Sequence, residues 1–186
     1  MIKTRRFVTV SALSAAALAP LAGSAAHAAS REALTADGLH ALERLQASEP
    51  RSRRFARDAK AVLVFPRILK GGLVFGAQTG NGVLLENGRA VGFYNISGGS
   101  WGLQAGGQTF GYALFFMTRS SLDYLERSDG FAIGSGPSVV VVNKGAATSI
   151  DSTTVSQDVY AFPFNQKGLM ADLTLQGTKI SRIHPD

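Results

Sequence analysis

Two segments, Ala59–Leu85 reading AKAVLVFPRILKGGLVFGAQTGNGVLL and Gly92–Met117 reading GFYNISGGSWGLQAGGQTFGYALFFM, decide how this chain folds. Both are built from short runs of β-branched and aromatic residues broken by glycine. Val62–Phe65, Leu73–Ala77, Val83–Leu85, Val91–Ile96 and Tyr112–Met117 read as strands, and Val139–Val142 adds another. Between two of these runs lies Asn87-Gly88, whose pairing predicts a type I′ hairpin because both turn positions need positive φ.

Glycine recurs at every fourth position, at Gly72, Gly76 and Gly80, at Gly98, Gly102 and Gly106, and again at Gly107 and Gly111. In a strand, residues four apart share a face, so such positions leave bare tracks along which another backbone can lie close. A glycine-faced membrane helix is the competing reading. It fails on Gln78, Thr79, Asn81, Gln104, Gln108 and Thr109, which interrupt any long apolar run, and each interior glycine would cost a helix about 1 kcal/mol against alanine. The repeated G-A-Q-T at Gly76–Thr79 and G-G-Q-T at Gly106–Thr109 reads as two equivalent strands of one curled sheet. Farther on, Ala171, Leu173 and Leu175 alternate with Asp172, Thr174 and Gln176 as in a half-buried strand, which Gln176-Gly177 then turns toward Ile180.

Helical spacing appears outside this core. Leu34, Ala41, Leu42 and Leu45 share one face of an amphipathic helix expected over residues 31–47, weakened by Gly38. Pro50 ends it, and a second helix is expected over residues 51–60, with Phe55, Ala59 and Val62 on one side and Arg53, Arg57 and Lys60 on another. A third is expected over residues 121–127, with Ser120 as N-cap and Asp123 completing a capping box. The fold class is therefore α+β and predominantly antiparallel β, a curled or barrel-like glycine-rich sheet with N-terminal amphipathic helices and one short inserted helix.

Residues 1–28 read as a cleavable signal peptide: Lys3, Arg5 and Arg6, an alanine-rich run from Phe7, and the small-x-small site Ala26-His27-Ala28. Thr4-Arg5-Arg6 partially matches a twin-arginine signal, and Sec export is the default. An exported protein, periplasmic or extracellular and peripherally membrane-associated, is the expectation. Residues 29–49 form the N-terminal helical segment and 50–186 the remainder of a single globular unit. No cysteine is present, which excludes disulfides, a thiol nucleophile and a lipid-modified N-terminal cysteine.

Charge is concentrated. Between Arg51 and Lys70 lie Arg51, Arg53, Arg54, Arg57, Lys60, Arg67 and Lys70 against the single acid Asp58, so this segment alone matches the net +6 of the entire chain. A basic run is ordinarily a solvated helix face. Here it leads into Phe65-Pro66-Arg67-Ile68-Leu69-Lys70, where a turn would place Ile68 and Leu69 into a bilayer interface while Arg67 and Lys70 hold headgroups. At about 1 kcal/mol per cation near an anionic surface, charge alone gives roughly 6–7 kcal/mol at best. That corresponds to a dissociation constant between about 1 mM and 1 μM, a weak and salt-sensitive attachment.

Catalytic and metal chemistry find little footing. Gly98-Gly99-Ser100-Trp101-Gly102 satisfies the G-x-S-x-G pattern, and Asp151, Asp158 or Asp172 with His184 completes a Ser…Asp…His order. The pattern requires a helix directly after the serine, and L-Q-A-G-G-Q-T-F-G is a poor helix. A serine esterase at Ser100 therefore ranks third among the functional readings. With His40 and His184 the only histidines after the signal, no metal set and no cofactor are expected.

The segments Ala59–Pro66 (A-K-A-V-L-V-F-P), Gly102–Gln108 (G-L-Q-A-G-G-Q) and Tyr160–Ile180 (YAFPFNQKGLMADLTLQGTKI) resemble the SYLF domain family, over about residues 50–183. That resemblance implies phospholipid binding without catalysis, with the N-terminal part of the domain touching acidic lipid. Some eukaryotic members join the domain to Src-homology or FYVE modules and bind filamentous actin or phosphoinositides; this sequence shows neither module, and export would remove it from actin. The expected partner is an anionic phospholipid membrane rather than nucleic acid, with self-association left open. The alternative is a cell-envelope structural or protein-interaction module packing through its glycine tracks.

Overall fold

A computed structural model describes residues 30–72, 75–101, 106–127, 130–132, 136–142, 157–167 and 177–186. The signal segment, the expected strand at 171–175 and Gln176 lie outside the described residues. Helix α1 spans Arg31–Ser48 and α2 Ser52–Asp58; the strands are β1 Ala61–Gly72, β2 Phe75–Glu86, β3 Arg89–Trp101 and β4 Gly106–Phe116. After α3 (Arg119–Arg127) come β5 Phe131–Ala132, β6 Val139–Val141, β7 Val159–Lys167 and β8 Thr178–Ile183. The eight strands form one sheet in the order β5-β8-β3-β2-β1-β4-β7-β6, antiparallel except for the β6–β7 pair, and curled into a half-barrel.

Alternation along the strands divides the core in two. Leu63, Phe65, Ile68, Leu84, Tyr94, Ile96, Tyr112, Leu114 and Phe116 point into the concave side, where Leu122 and Leu125 of α3 and Phe131 cover them. Val62, Val64, Val83, Phe93, Phe115, Tyr160 and Phe162 point to the convex side, against α1 and α2. The sheet is thus sandwiched between helices, as the α+β expectation requires. The hairpin is in place: Asn87 and Gly88 have φ of 48° and 76°, and Glu86 pairs with Arg89.

Helix α1 begins where the Ser30 hydroxyl accepts from the Ala33 amide at 3.2 Å. It presents Leu34, Gly38, Ala41 and Leu45 to the sheet. Gly38, which weakens the helix on propensity, is explained by this packing, because a Cβ there would overlap Val83 Cγ1. Gly38→Ala should therefore destabilise by about 1–2 kcal/mol in denaturant unfolding despite the better helix former, since overpacking costs more than propensity returns. The same change with Val83→Ala should recover most of the loss, and a Gly38→Ala protein as stable as the parent would refute this close approach.

Helix α3 begins two residues earlier than expected, and its cap differs. Thr118, not Ser120, is the capping side chain: its hydroxyl accepts from the Ser121 amide at 3.2 Å and donates to the Asp158 carboxylate at 3.1 Å. Asp123 instead bridges Arg119 and Arg127, each at 3.0 Å, one turn away on either side. Strand β7, which no alternation announces, covers Val159–Lys167; its second residue, Tyr160, opens an aromatic run that packs on α2.

The expected turn at residues 65–70 is a correction. The chain there continues as β1, paired with β2 and β4 on either side, and carries a β-bulge instead. One extra residue is accommodated at Pro66-Arg67, between the Phe65–Tyr112 and Ile68–Phe110 pairs. Proline in an interior strand loses a ladder hydrogen bond, and a bulge is the place where a sheet tolerates it. The carbonyl of Arg67 bends toward β2, where a side chain at Gly80 would bring a Cβ within 2.5 Å of it.

A basic convex face as candidate functional site

The nine residues expected to touch lipid divide into three groups. On α2, Arg53, Arg54 and Arg57 are exposed, as is Lys60 just beyond it, while Phe55 holds the helix to the sheet. Phe55 sits against Tyr160 and Phe162 at ring separations of 4.7 and 5.2 Å. Arg53, Arg57 and Lys60 have no carboxylate within ion-pair distance among the described residues. Arg51 differs: its Nε donates to Glu49 at 2.7 Å, and that hydrogen bond raises the guanidinium above its usual pKa.

The second group lies farther along β1. Arg67 is exposed at the bulge, and Leu69 is 53% exposed on the same convex side. At about 3.3 Å per residue, Arg67 lies roughly 20 Å from the start of β1, where α2 delivers its cations. The seven cations therefore form no single patch.

The third group corrects the sequence reading. Ile68 is fully buried in the concave core and cannot enter a bilayer, and Lys70 is 5% exposed and points the same way. The extra residue at the bulge is the reason, because it shifts the in–out alternation by one and leaves Leu69, not Ile68, facing out. Lys70 stands in register between Gln78 of β2 and Gln108 of β4, so the two repeated G-x-Q-T segments do flank one strand as equivalents.

Two further cations join Arg67. A cleft of about 330 Å³ is lined by Arg44 of α1, Arg67 of β1 and Lys167 of β7, with Thr109 and Asn165 completing its polar edge. Its walls are two bulges. Strand β7 also carries one extra residue, between the Gly111–Phe164 and Thr109–Lys167 pairs, and Asn165 there has φ of 51°. Both bulges border β4 at the same level, so each re-aims its basic residue over the segment from Thr109 to Gly111. Arg44, Arg67 and Lys167 have no carboxylate partner among the described residues. Alongside is a shallow depression of about 630 Å³ that shares Thr109 and Lys167, is floored by Gly71, Ala77 and Gly107, and has Leu69 at its edge.

Arg44 and Lys167 were not legible as site residues. Arg44 reads as the polar side of α1, and Lys167 follows a run that does not alternate. The bulge at Asn165 offers one sequence signal, an asparagine within an aromatic strand. Ser100 lies on β3 in register with Gly76. His184 follows β8 beyond the Phe93–Ile183 pair, so the two sit at opposite ends of the β3–β8 ladder, on the order of 25 Å apart. Hydrogen-bond reach between them would need about 3 Å. No helix among the described residues is long and apolar enough to cross a membrane.

Comparison with curated proteins gives no match. The family model that matches begins within β3 and runs through β8, so α1, α2 and β1, with most of the cations, precede it. Residues 97–184 match the family model Ysc84, described as Las17-binding protein actin regulator, which is the SYLF family that the sequence motifs resemble.

Proposed function

We propose that the chain is an exported, non-enzymatic protein that attaches to anionic phospholipid surfaces through its convex basic face. The observation that carries this reading is the set Arg53, Arg57 and Lys60 at α2 and Arg67 at the β1 bulge, exposed on one side of the sheet without carboxylate partners among the described residues. Unneutralised cations gathered on one face raise the local concentration of an anionic surface and bind it in a salt-dependent way. Half-exposed Leu69 supplies an apolar contact on the same side. Actin is not the proposed partner, because export separates the two.

Co-sedimentation of the signal-free protein with vesicles tests the proposal. Binding should appear with anionic lipid, be absent on purely zwitterionic vesicles, and fall by at least about tenfold from low to physiological salt, as expected for several screened contacts. Binding indifferent to lipid charge would sink it.

A second reading, a module that packs against a protein partner, is favoured by one feature. At the far end of the convex face, Gly71, Ala77 and Gly107 leave the sheet nearly bare of side chains and exposed. Concentration-dependent self-association that is unaffected by lipid would support that alternative.

A further inference from the structure

We propose that the cleft between the two bulges is a headgroup pocket selecting lipids whose phosphate is a monoester, such as phosphatidic acid, over diester lipids of the same surface charge. This inference rests on the lipid-binding reading above and adds to it a specific place and a specific chemistry.

Three elements far apart in sequence each deliver one cation to the cleft: Arg44 from α1, Arg67 from the β1 bulge and Lys167 from the β7 bulge. A bulge costs ladder hydrogen bonds, and two of them flanking one strand at the same level would gain nothing in an ordinary sheet. Their shared consequence is that Arg67 and Lys167 lean over Thr109 from opposite sides. No carboxylate among the described residues neutralises the three charges, so the cleft calls for an anion of more than one charge.

A phosphate monoester near neutral pH carries about −1.5 to −2 and three strong acceptor oxygens, where a diester carries a single charge. Two guanidinium forks suit that group, since Arg binds phosphate oxygens in pairs, and Lys167 adds a point charge. Thr109 and Asn165 supply further polar contact at the edge. The adjoining depression, with its glycine and alanine floor and Leu69 at 53% exposure, begins at the same Thr109 and Lys167. A glycerol backbone leaving the cleft would pass along it toward the apolar edge. This continuity is why a lipid, and not free phosphate, is the occupant.

The test compares vesicles containing phosphatidic acid with vesicles containing phosphatidylglycerol, matched in surface charge. The parent protein should bind the first about tenfold more tightly. Arg67→Gln and Lys167→Gln should each remove most of that preference while weakening binding to phosphatidylglycerol by no more than about fivefold, the share of one surface cation, since α2 still provides most of the general attraction. Arg67→Lys, which keeps the charge and loses the fork, should also lose preference. Equal affinity of the parent for both vesicles, or equal losses on both by the variants, would overturn the pocket and leave the surface-binding reading standing. Failure of the parent on every anionic vesicle would remove both. Glycerol phosphate in solution should compete only weakly; if it binds as tightly as the vesicles, the occupant is a free phosphate and the lipid assignment is wrong.

Discussion

Replacing Phe55 by alanine should lower stability by about 3–5 kcal/mol and release α2 from the sheet. The helix has seven residues, of which only Ser52 and Phe55 are buried. A helix this short has no stability of its own in water, so tertiary packing must supply it. Phe55 provides that packing through its contacts with Phe115, Tyr160 and Phe162, at ring separations of 6.2, 4.7 and 5.2 Å. Truncation leaves a cavity between helix and sheet that aromatic neighbours fill poorly. The expected readouts are a lower melting temperature, rapid amide exchange across Ser52–Asp58, and weaker attachment to anionic vesicles because the cations lose their fixed geometry. Phe55→Leu, closer in volume, should retain most of the stability. An alanine variant with unchanged melting and a still-protected α2 would show that something else anchors the helix.

The charge-swapped variant carrying Arg53→Glu, Arg57→Glu and Lys60→Glu should bind anionic vesicles at least about 100-fold more weakly at low salt. Each cation near such a surface contributes about 1 kcal/mol, so losing three accounts for roughly that factor before the added repulsion is counted. All three side chains are exposed and outside any ion pair among the described residues, so thermal stability should stay within about 0.5 kcal/mol of the parent. The separation of the two readouts is the point of the experiment. Binding that survives the swap would move the attachment surface away from α2, whereas binding lost together with the fold would leave Phe55, not charge, as the determinant.

Those two outcomes differ from the one expected for the bulge cleft. Swapping charges on α2 weakens attachment to every anionic surface, whereas Arg67→Gln or Lys167→Gln changes the choice between headgroups. The distance along β1 makes the two regions separable, since the cleft lies about 20 Å from the α2 end and beyond the Debye length of about 10 Å at 0.1 M salt.

Short-range features could be read directly from the amino-acid order, because their causes lie within a few residues. The Asn87-Gly88 turn, the apolar stripe of α1, the strand character of the glycine-spaced segments and the gathering of positive charge before Lys70 are of this kind. Where only the three-dimensional arrangement decided, the cause was a partner strand or a distant side chain. Pro66-Arg67 looks the same locally whether the chain turns or bulges; β2 and β4 continuing on both sides made it a bulge, and that one extra residue turned Ile68 inward and Leu69 outward. Likewise Arg44 and Lys167 carry no mark of a site on their own, and only the curl of the sheet and the second bulge bring them beside Arg67.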